Sequence, residues 1–146
     1  MTPVPGPAPT GTARPALAPG DRIDHVAYAV RDIDAALPWW TDVIGLPLVH
    51  DEIAHEPGSR LAYLEAGAGV FVQLVQPVLP NAVQDFLDTH GEGLHHVAFT
   101  VSSLTDVTAR LGDTAPVFAG GRGCDACFLS TAPSGLRIEL VPPRTH

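Results

Sequence analysis

The feature that most constrains this chain is an internal repeat. Asp24-His25-Val26-Ala27-Tyr28-Ala29-Val30 recurs as His95-His96-Val97-Ala98-Phe99-Thr100-Val101, so two copies of one module are expected to fold alike and bury equivalent faces. Both stretches alternate with the period of a half-buried strand. His25, Ala27 and Ala29 fall on one face, with Val26, Tyr28 and Val30 on the other; His96, Ala98 and Thr100 repeat the first set, and Val97, Phe99 and Val101 the second. A second pair of segments follows at a similar interval, Phe71–Pro77 matching Arg137–Pro143, which puts Gln73 at the position of Glu139. Each module thus offers two polar side chains competent to bind a metal. On a regular strand His95 has the opposite parity to His96 and is expected to face away.

Between these anchors each module reads β-α-β-β-β. In module one, Asp32 or Asp34 can cap a helix with apolar positions Ile33, Ala36, Leu37, Trp40 and Ile44 and with Gly45 as its stop. Pro38 removes a backbone donor, and should either kink that helix or confine its regular part to Pro38 onwards. Leu46–Ala54, Arg60–Ala66 and Val70–Gln76 read as strands, with Gly67-Ala68-Gly69 as a hairpin turn. Val83, Phe86 and Leu87 mark a connecting helix between Asn81 and Gly91. Module two repeats the order: a strand over Leu94–Val101, a helix over Ser103–Leu111 stopped by Gly112, then strands near Ala115–Ala119, Ala126–Ser130 and Leu136–Val141.

Composition narrows the function. The 146 residues suffice for one domain with its own core. Residues 1–20, rich in Pro, Ala, Gly and Thr, read as a flexible tail, and 21–146 as a single domain: module one 21–76, linker 77–92, module two 93–143. Sixteen acidic residues face eight basic ones, all arginine, for a net charge of -8, which disfavours nucleic acid as a partner. No apolar run is long enough for a membrane helix, and the start lacks the pattern of a secretory signal, so a cytoplasmic protein is expected. Cys124 and Cys127 are expected as two reduced thiols.

On the opening strands the histidines share a face with small residues, and the bulky face is expected to pack under each module's helix. The small face then lines a hollow. If the modules associate through equivalent strands, His25, Gln73, His96 and Glu139 converge on that hollow. Their two imidazole nitrogens, one carboxylate and one amide oxygen suit Mn²⁺, Fe²⁺, Co²⁺, Ni²⁺ or Zn²⁺ without choosing among them. A single His or Gln on a strand is ordinarily a packed or surface residue; the matched placement of all four is what favours a metal. His50, His55, His90 and His146 lack such pairing and are expected in loops or solvent.

These features resemble the vicinal oxygen chelate superfamily, which includes glyoxalase I, extradiol dioxygenases and methylmalonyl-CoA epimerase. Ile23-Asp24-His25-Val26-Ala27, Gly45-Leu46, Gly91-Glu92-Gly93-Leu94-His95-His96 and Gly135-Leu136-Arg137-Ile138-Glu139-Leu140 are most similar to the epimerase branch. The resemblance implies an α+β fold in which two βαβββ modules pair into a U-shaped, eight-stranded mixed sheet. It also implies that His25, Gln73, His96 and Glu139 bind a divalent metal, and that a glutamate after the second strand acts as base. Glu56 matches that position, and Glu139 is a candidate second proton carrier. The implied activity is a metal-dependent epimerase or isomerase working through an enolate, on a small molecule such as an acyl-CoA, in a homodimer. A coenzyme A ester would rely on arginines such as Arg60, Arg122 or Arg137, since the chain has no lysine and carries Leu129–Gly135 where relatives often have a His-Pro-Lys segment. A lyase or Fe²⁺ ring-cleaving dioxygenase on the same scaffold, or a metal-free antibiotic-binding protein, stand as alternatives.

Overall fold

The structure is a computed structural model that describes residues 15–143. Its elements run β1 (Arg22–Ala29), α1 (Ile33–Pro38) continuing into a π-helical stretch (Trp39–Ile44), β2 (Leu48–Ala54), β3 (Ser59–Glu65), β4 (Phe71–Pro77) and α2 (Ala82–His90). Module two supplies β5 (Gly93–Thr100), α3 (Leu104–Leu111), β6 (Phe118–Ala119), β7 (Asp125–Phe128) and β8 (Ile138–Val141). The eight strands form one mixed sheet in the order β2-β3-β4-β1-β5-β8-β7-β6. Strand β1 runs parallel to β4, and β5 parallel to β8, while β1 and β5 pair antiparallel at the seam between modules. This is the expected α+β architecture of two βαβββ modules.

Local chemistry sets the helix ends. Asp32, not Asp34, caps α1, its carboxylate accepting the Asp34 amide at 3.0 Å. Asn81 accepts the amides of Val83 and Gln84 above α2, and Ser103 accepts that of Asp106 above α3. The regular part of the first helix ends at Pro38 instead of starting there. Proline cannot donate to the carbonyl four residues back, and the chain beyond it widens into π-type spacing, the Gly45 amide reaching the Trp40 carbonyl five residues earlier at 2.9 Å. Strands β6 and β8 are shorter than expected, β6 covering only Phe118–Ala119.

The two faces of the sheet bury different clusters. Behind it, Val30, Ile33, Ala62, Leu64 and Leu74 pack with Leu37 and Trp40 of the first helix, and Val101, Val107, Cys127 and Leu140 pack around α3. Leu64 and Leu74 are fully buried, each worth roughly 1.5–3 kcal/mol. The expectation that the bulky faces of the opening strands lie under helices holds for Val30 and Val101, whereas Tyr28 stays exposed beside Trp40. In front, Leu61, Tyr63, Phe71 and Val75 join Val83, Phe86 and Leu87 of α2. The linker helix therefore walls the hollow as well as joining the modules. Residues 1–14 of the expected tail, and His146, lie outside the described residues; Ala16 and Leu17 pack against the α3 cluster.

Candidate metal centre

Cross-strand register brings the four candidate ligands together in two rows. In one, His25 of β1 lies opposite Ala98 of β5, which lies opposite Glu139 of β8. In the other, His96 of β5 lies opposite Ala27 of β1, which lies opposite Gln73 of β4. Each row is the other's repeat equivalent, with an alanine at its middle; both alanines are wholly buried. Their small side chains leave room between the histidines, which explains why the histidine-bearing face holds little bulk.

His25 Nε2 lies 3.1 Å and His96 Nε2 3.4 Å from Glu139 Oε1, and the two Nε2 atoms are 3.2 Å apart. Metal bonds of about 2.0–2.2 Å, at tetrahedral or octahedral angles, place neighbouring ligand atoms roughly 2.8–3.6 Å apart. All three separations fall in that range, so the residues fit a divalent cation. Gln73 is buried and faces the same cavity from the second row. Burial would raise the Glu139 carboxyl, but hydrogen bonds from His25 and His96 hold it down to about 2. Burial also opposes charge on both histidines; at His25 the carboxylates of Asp24 and Glu139 outweigh it and raise the pKa, whereas His96 is lowered.

His95 does not face away. The β1–β5 ladder slips at two places: Asp24 has no opposite number between the Ile23–Phe99 and His25–Ala98 pairs, and His95 has none between Ala27–His96 and Tyr28–Leu94. Each is the extra residue of a β-bulge immediately before a histidine of the cluster, and a bulge breaks the strict alternation on which parity rests. Asp24 and His95 are buried accordingly. Asp24 Oδ2 lies 2.7 Å from His25 Nδ1, and His95 Nδ1 lies 2.8 Å from His96 Nδ1. Behind each Nε2, then, the other ring nitrogen has a partner that can fix its tautomer. Burial, with the His96 and Arg137 charges, pushes His95 down to about 3. The doublets Asp24-His25 and His95-His96 were the sequence signal for these roles.

The cavity in front of the cluster has mainly apolar walls, among them Leu61, Val75, Val83, Phe118 and Phe128. Glu56, exposed on the β2–β3 turn, also lines it. Opposite, Gly121 packs so close to Tyr63 that a Cβ there would collide with the phenol oxygen, and the Arg122 amide donates to the Glu52 carboxylate. Of the three expected arginines, Arg60 is engaged by Asp51, at 2.8 and 3.0 Å, and by Asp34, so its charge is already compensated. Arg122 lies over Tyr63 and Phe71, and Arg137 over Phe86. Cys124 lines the cavity and Cys127 packs behind the sheet, both as free thiols. His50, expected in a loop or solvent, is instead half-buried on β2 against Tyr63, while His55 and His90 are exposed. Among the described residues, no helix is long and apolar enough to cross a membrane.

Comparison with known proteins identifies the family. The chain is 30% identical to the uncharacterized protein YqjC of Bacillus subtilis (strain 168), over 85% of this chain and 94% of that protein. It is 25% identical to a 2-epi-5-epi-valiolone epimerase of Actinomyces sp, over 82% of this chain and 78% of that enzyme. The crystal structure of methylmalonyl-CoA epimerase from Mycobacterium tuberculosis superposes with a TM-score of 0.77 at 34% identity, over 84% of this chain and 88% of that one. Residues 24–128 match the family model whose description is the Glyoxalase/Bleomycin resistance protein/Dioxygenase superfamily, and the chain belongs to that superfamily.

Proposed function

We propose that the protein is a metal-dependent epimerase or isomerase that removes and returns a proton beside a carbonyl group. The observation that carries this reading is the cluster of His25, His96 and Glu139 at the base of an apolar cavity whose wall holds a further carboxylate, Glu56. His25, His96 and Glu139, with Gln73 as fourth ligand, would hold the cation. When bound, a divalent cation supplies Lewis acidity, lowering the cost of the negative charge that develops on a substrate oxygen as the adjacent C–H ionises.

The chain's own groups do the remainder. Glu56 takes the proton, and the C–H electron pair passes to the neighbouring carbonyl as an enolate. A second carboxyl returns a proton to the opposite face, a role we assign to Glu139. Hydrogen bonds from His25 and His96 stabilise the ionised form of Glu139, which makes it a poorer base than a free carboxylate. The apolar walls limit water around the carbanion-like carbon and strengthen the charge interactions inside. The similarity to two epimerases supports this class, and both methylmalonyl-CoA and 2-epi-5-epi-valiolone are substrates to try. Gln73 weighs against ring-cleaving dioxygenase chemistry, because a fourth protein ligand takes a position that dioxygen and a catechol would need.

The test is solvent exchange. Metal-loaded protein incubated in deuterium oxide with either candidate should place deuterium at one substrate carbon without consuming oxygen. Stoichiometric oxygen uptake with a catechol, or tight metal-independent binding of a drug-like ligand, would replace the proposal.

A further inference from the structure

We propose that His95 is a substrate-binding residue that presents its Nε2–H as a hydrogen-bond donor to an acceptor oxygen of the substrate, a carbonyl, carboxylate or hydroxyl. The inference rests on the metal reading of His25, His96 and Glu139, and adds to it a contact made by a residue outside the ligand set.

The argument is a chain of tautomers. The face that His96 turns towards His25 and Glu139 carries Nε2, at 3.2 and 3.4 Å, so Nε2 is the atom that ligates. A neutral imidazole has one N–H and one lone pair. A ligating Nε2 uses the lone pair, which leaves the proton on His96 Nδ1. That Nδ1 lies 2.8 Å from His95 Nδ1, so His96 donates and His95 accepts. With its Nδ1 lone pair engaged, neutral His95 carries its proton on Nε2. The reverse assignment, His95 donating through Nδ1, would place a proton on His96 Nε2 and abolish ligation.

Placement makes the remaining N–H useful. The bulge turns His95 to the same side as His96, and its ring lines the cavity. The ring is held edge-on between Phe86 and Phe128, with centroids 5.0 and 6.4 Å away, so its orientation is set by packing. Among the described residues, its one side-chain hydrogen bond is the Nδ1 contact with His96. Asp24, the repeat equivalent, has an acceptor in the same place and no donor to offer. The two doublets therefore serve their ligand histidines alike, but of the two only His95-His96 adds a donor beside the centre. A substrate oxygen there would be oriented by an interaction that needs no charge on the protein.

Histidine tautomers are read directly by long-range proton–nitrogen correlation on ¹⁵N-labelled, Zn²⁺-loaded protein, with oxalate as the oxygen-bearing probe. The expected spectrum shows His95 protonated at Nε2 and His96 at Nδ1, and saturation with oxalate shifts the His95 Nε2–H resonance. At saturating Zn²⁺, His95→Asn keeps both an acceptor and a donor and should bind oxalate within about threefold of wild type. His95→Phe keeps neither and should lose roughly tenfold. A His95 protonated at Nδ1 in the zinc form, an Nε2–H resonance unmoved by saturating oxalate, or wild-type oxalate affinity in His95→Phe overturns the donor role while leaving the metal centre standing. Failure of Zn²⁺ to perturb His25 and His96 overturns the metal reading, and this inference with it.

Discussion

Replacing Asp24 by alanine tests the link between the bulges and the metal centre. Asp24 is 2% exposed, and its Oδ2 sits 2.7 Å from His25 Nδ1, a short, charge-assisted contact in a site nearly closed to water. Such a bond is worth about 1.5–3 kcal/mol, which corresponds to a factor of roughly 10–150 if all of it is felt at the opposite nitrogen. Removal of partners behind a ligating histidine typically costs 10–100-fold in metal affinity, so a loss near 30-fold, about 2 kcal/mol, is expected for Asp24→Ala. Asp24→Asn retains an acceptor oxygen in the same place and should lose less, on the order of fivefold. The assay is competition for Zn²⁺ against a chelator of known affinity, with circular dichroism to show that each variant is folded. Asp34→Ala, at a side chain 76% exposed, is the control and should leave affinity unchanged. A folded Asp24→Ala protein that binds Zn²⁺ within threefold of wild type would refute the idea that the residue before each ligand histidine sets its tautomer.

Two further outcomes are expected. Glu56→Gln keeps the size of the side chain but removes its basic carboxylate, so metal content should be unchanged while turnover in the deuterium assay falls by a factor of roughly 10² to 10⁴; an effect below about threefold would leave the base unidentified. Asp113 accepts hydrogen bonds from the Ser130 and Thr131 hydroxyls and from the Ala115 and Thr131 amides at 2.7–2.9 Å, tying the chain after α3 to the chain after β7. Burial would raise this carboxyl, but those bonds hold it well below the usual carboxylate range. Its folded-state pKa is thus depressed, so its contribution is complete above about pH 4, the unfolded value, and is lost as pH falls further. Urea unfolding should show Asp113→Ala less stable by about 2–4 kcal/mol at pH 7, with the gap from wild type narrowing below pH 4; a constant gap would show that the carboxylate charge is not what holds the two segments.

The convergence of His25, Gln73, His96 and Glu139 was legible in the sequence because the repeat constrains them twice. His25 and His96 share a parity within their strands, Gln73 and Glu139 share a position within theirs, and Ala27 and Ala98 mark the narrow face between them. Parity arithmetic presumes a ladder in which each residue has one opposite number. The slips at Asp24 and His95 violate that, and nothing in hydrophobic alternation reports them, so His95 was expected on the wrong side. Pro38 announced a disturbance in the first helix but not its form, because a missing amide donor is compatible with a kink as well as with a helix start. The Phe118–Ala119 strand was overestimated because its apolar neighbours Ala115 and Val117 look like strand residues, although the former packs near α3 without joining the ladder.

The antiparallel seam has a consequence for how a small molecule is held. Two rows related by the repeat present equivalent side chains from either side, and a site with true twofold symmetry would accept a small molecule in two orientations at equal free energy. Half of the encounters would then carry the acidic carbon to the wrong place. Here the halves differ at two points, aspartate against histidine behind the rings and glutamine against glutamate beside them. A single charge-assisted hydrogen bond made in one orientation only, at about 1.5–3 kcal/mol, is enough to prefer that orientation by tenfold or more. Divergence of the two copies thus turns a degenerate cleft into one with a direction.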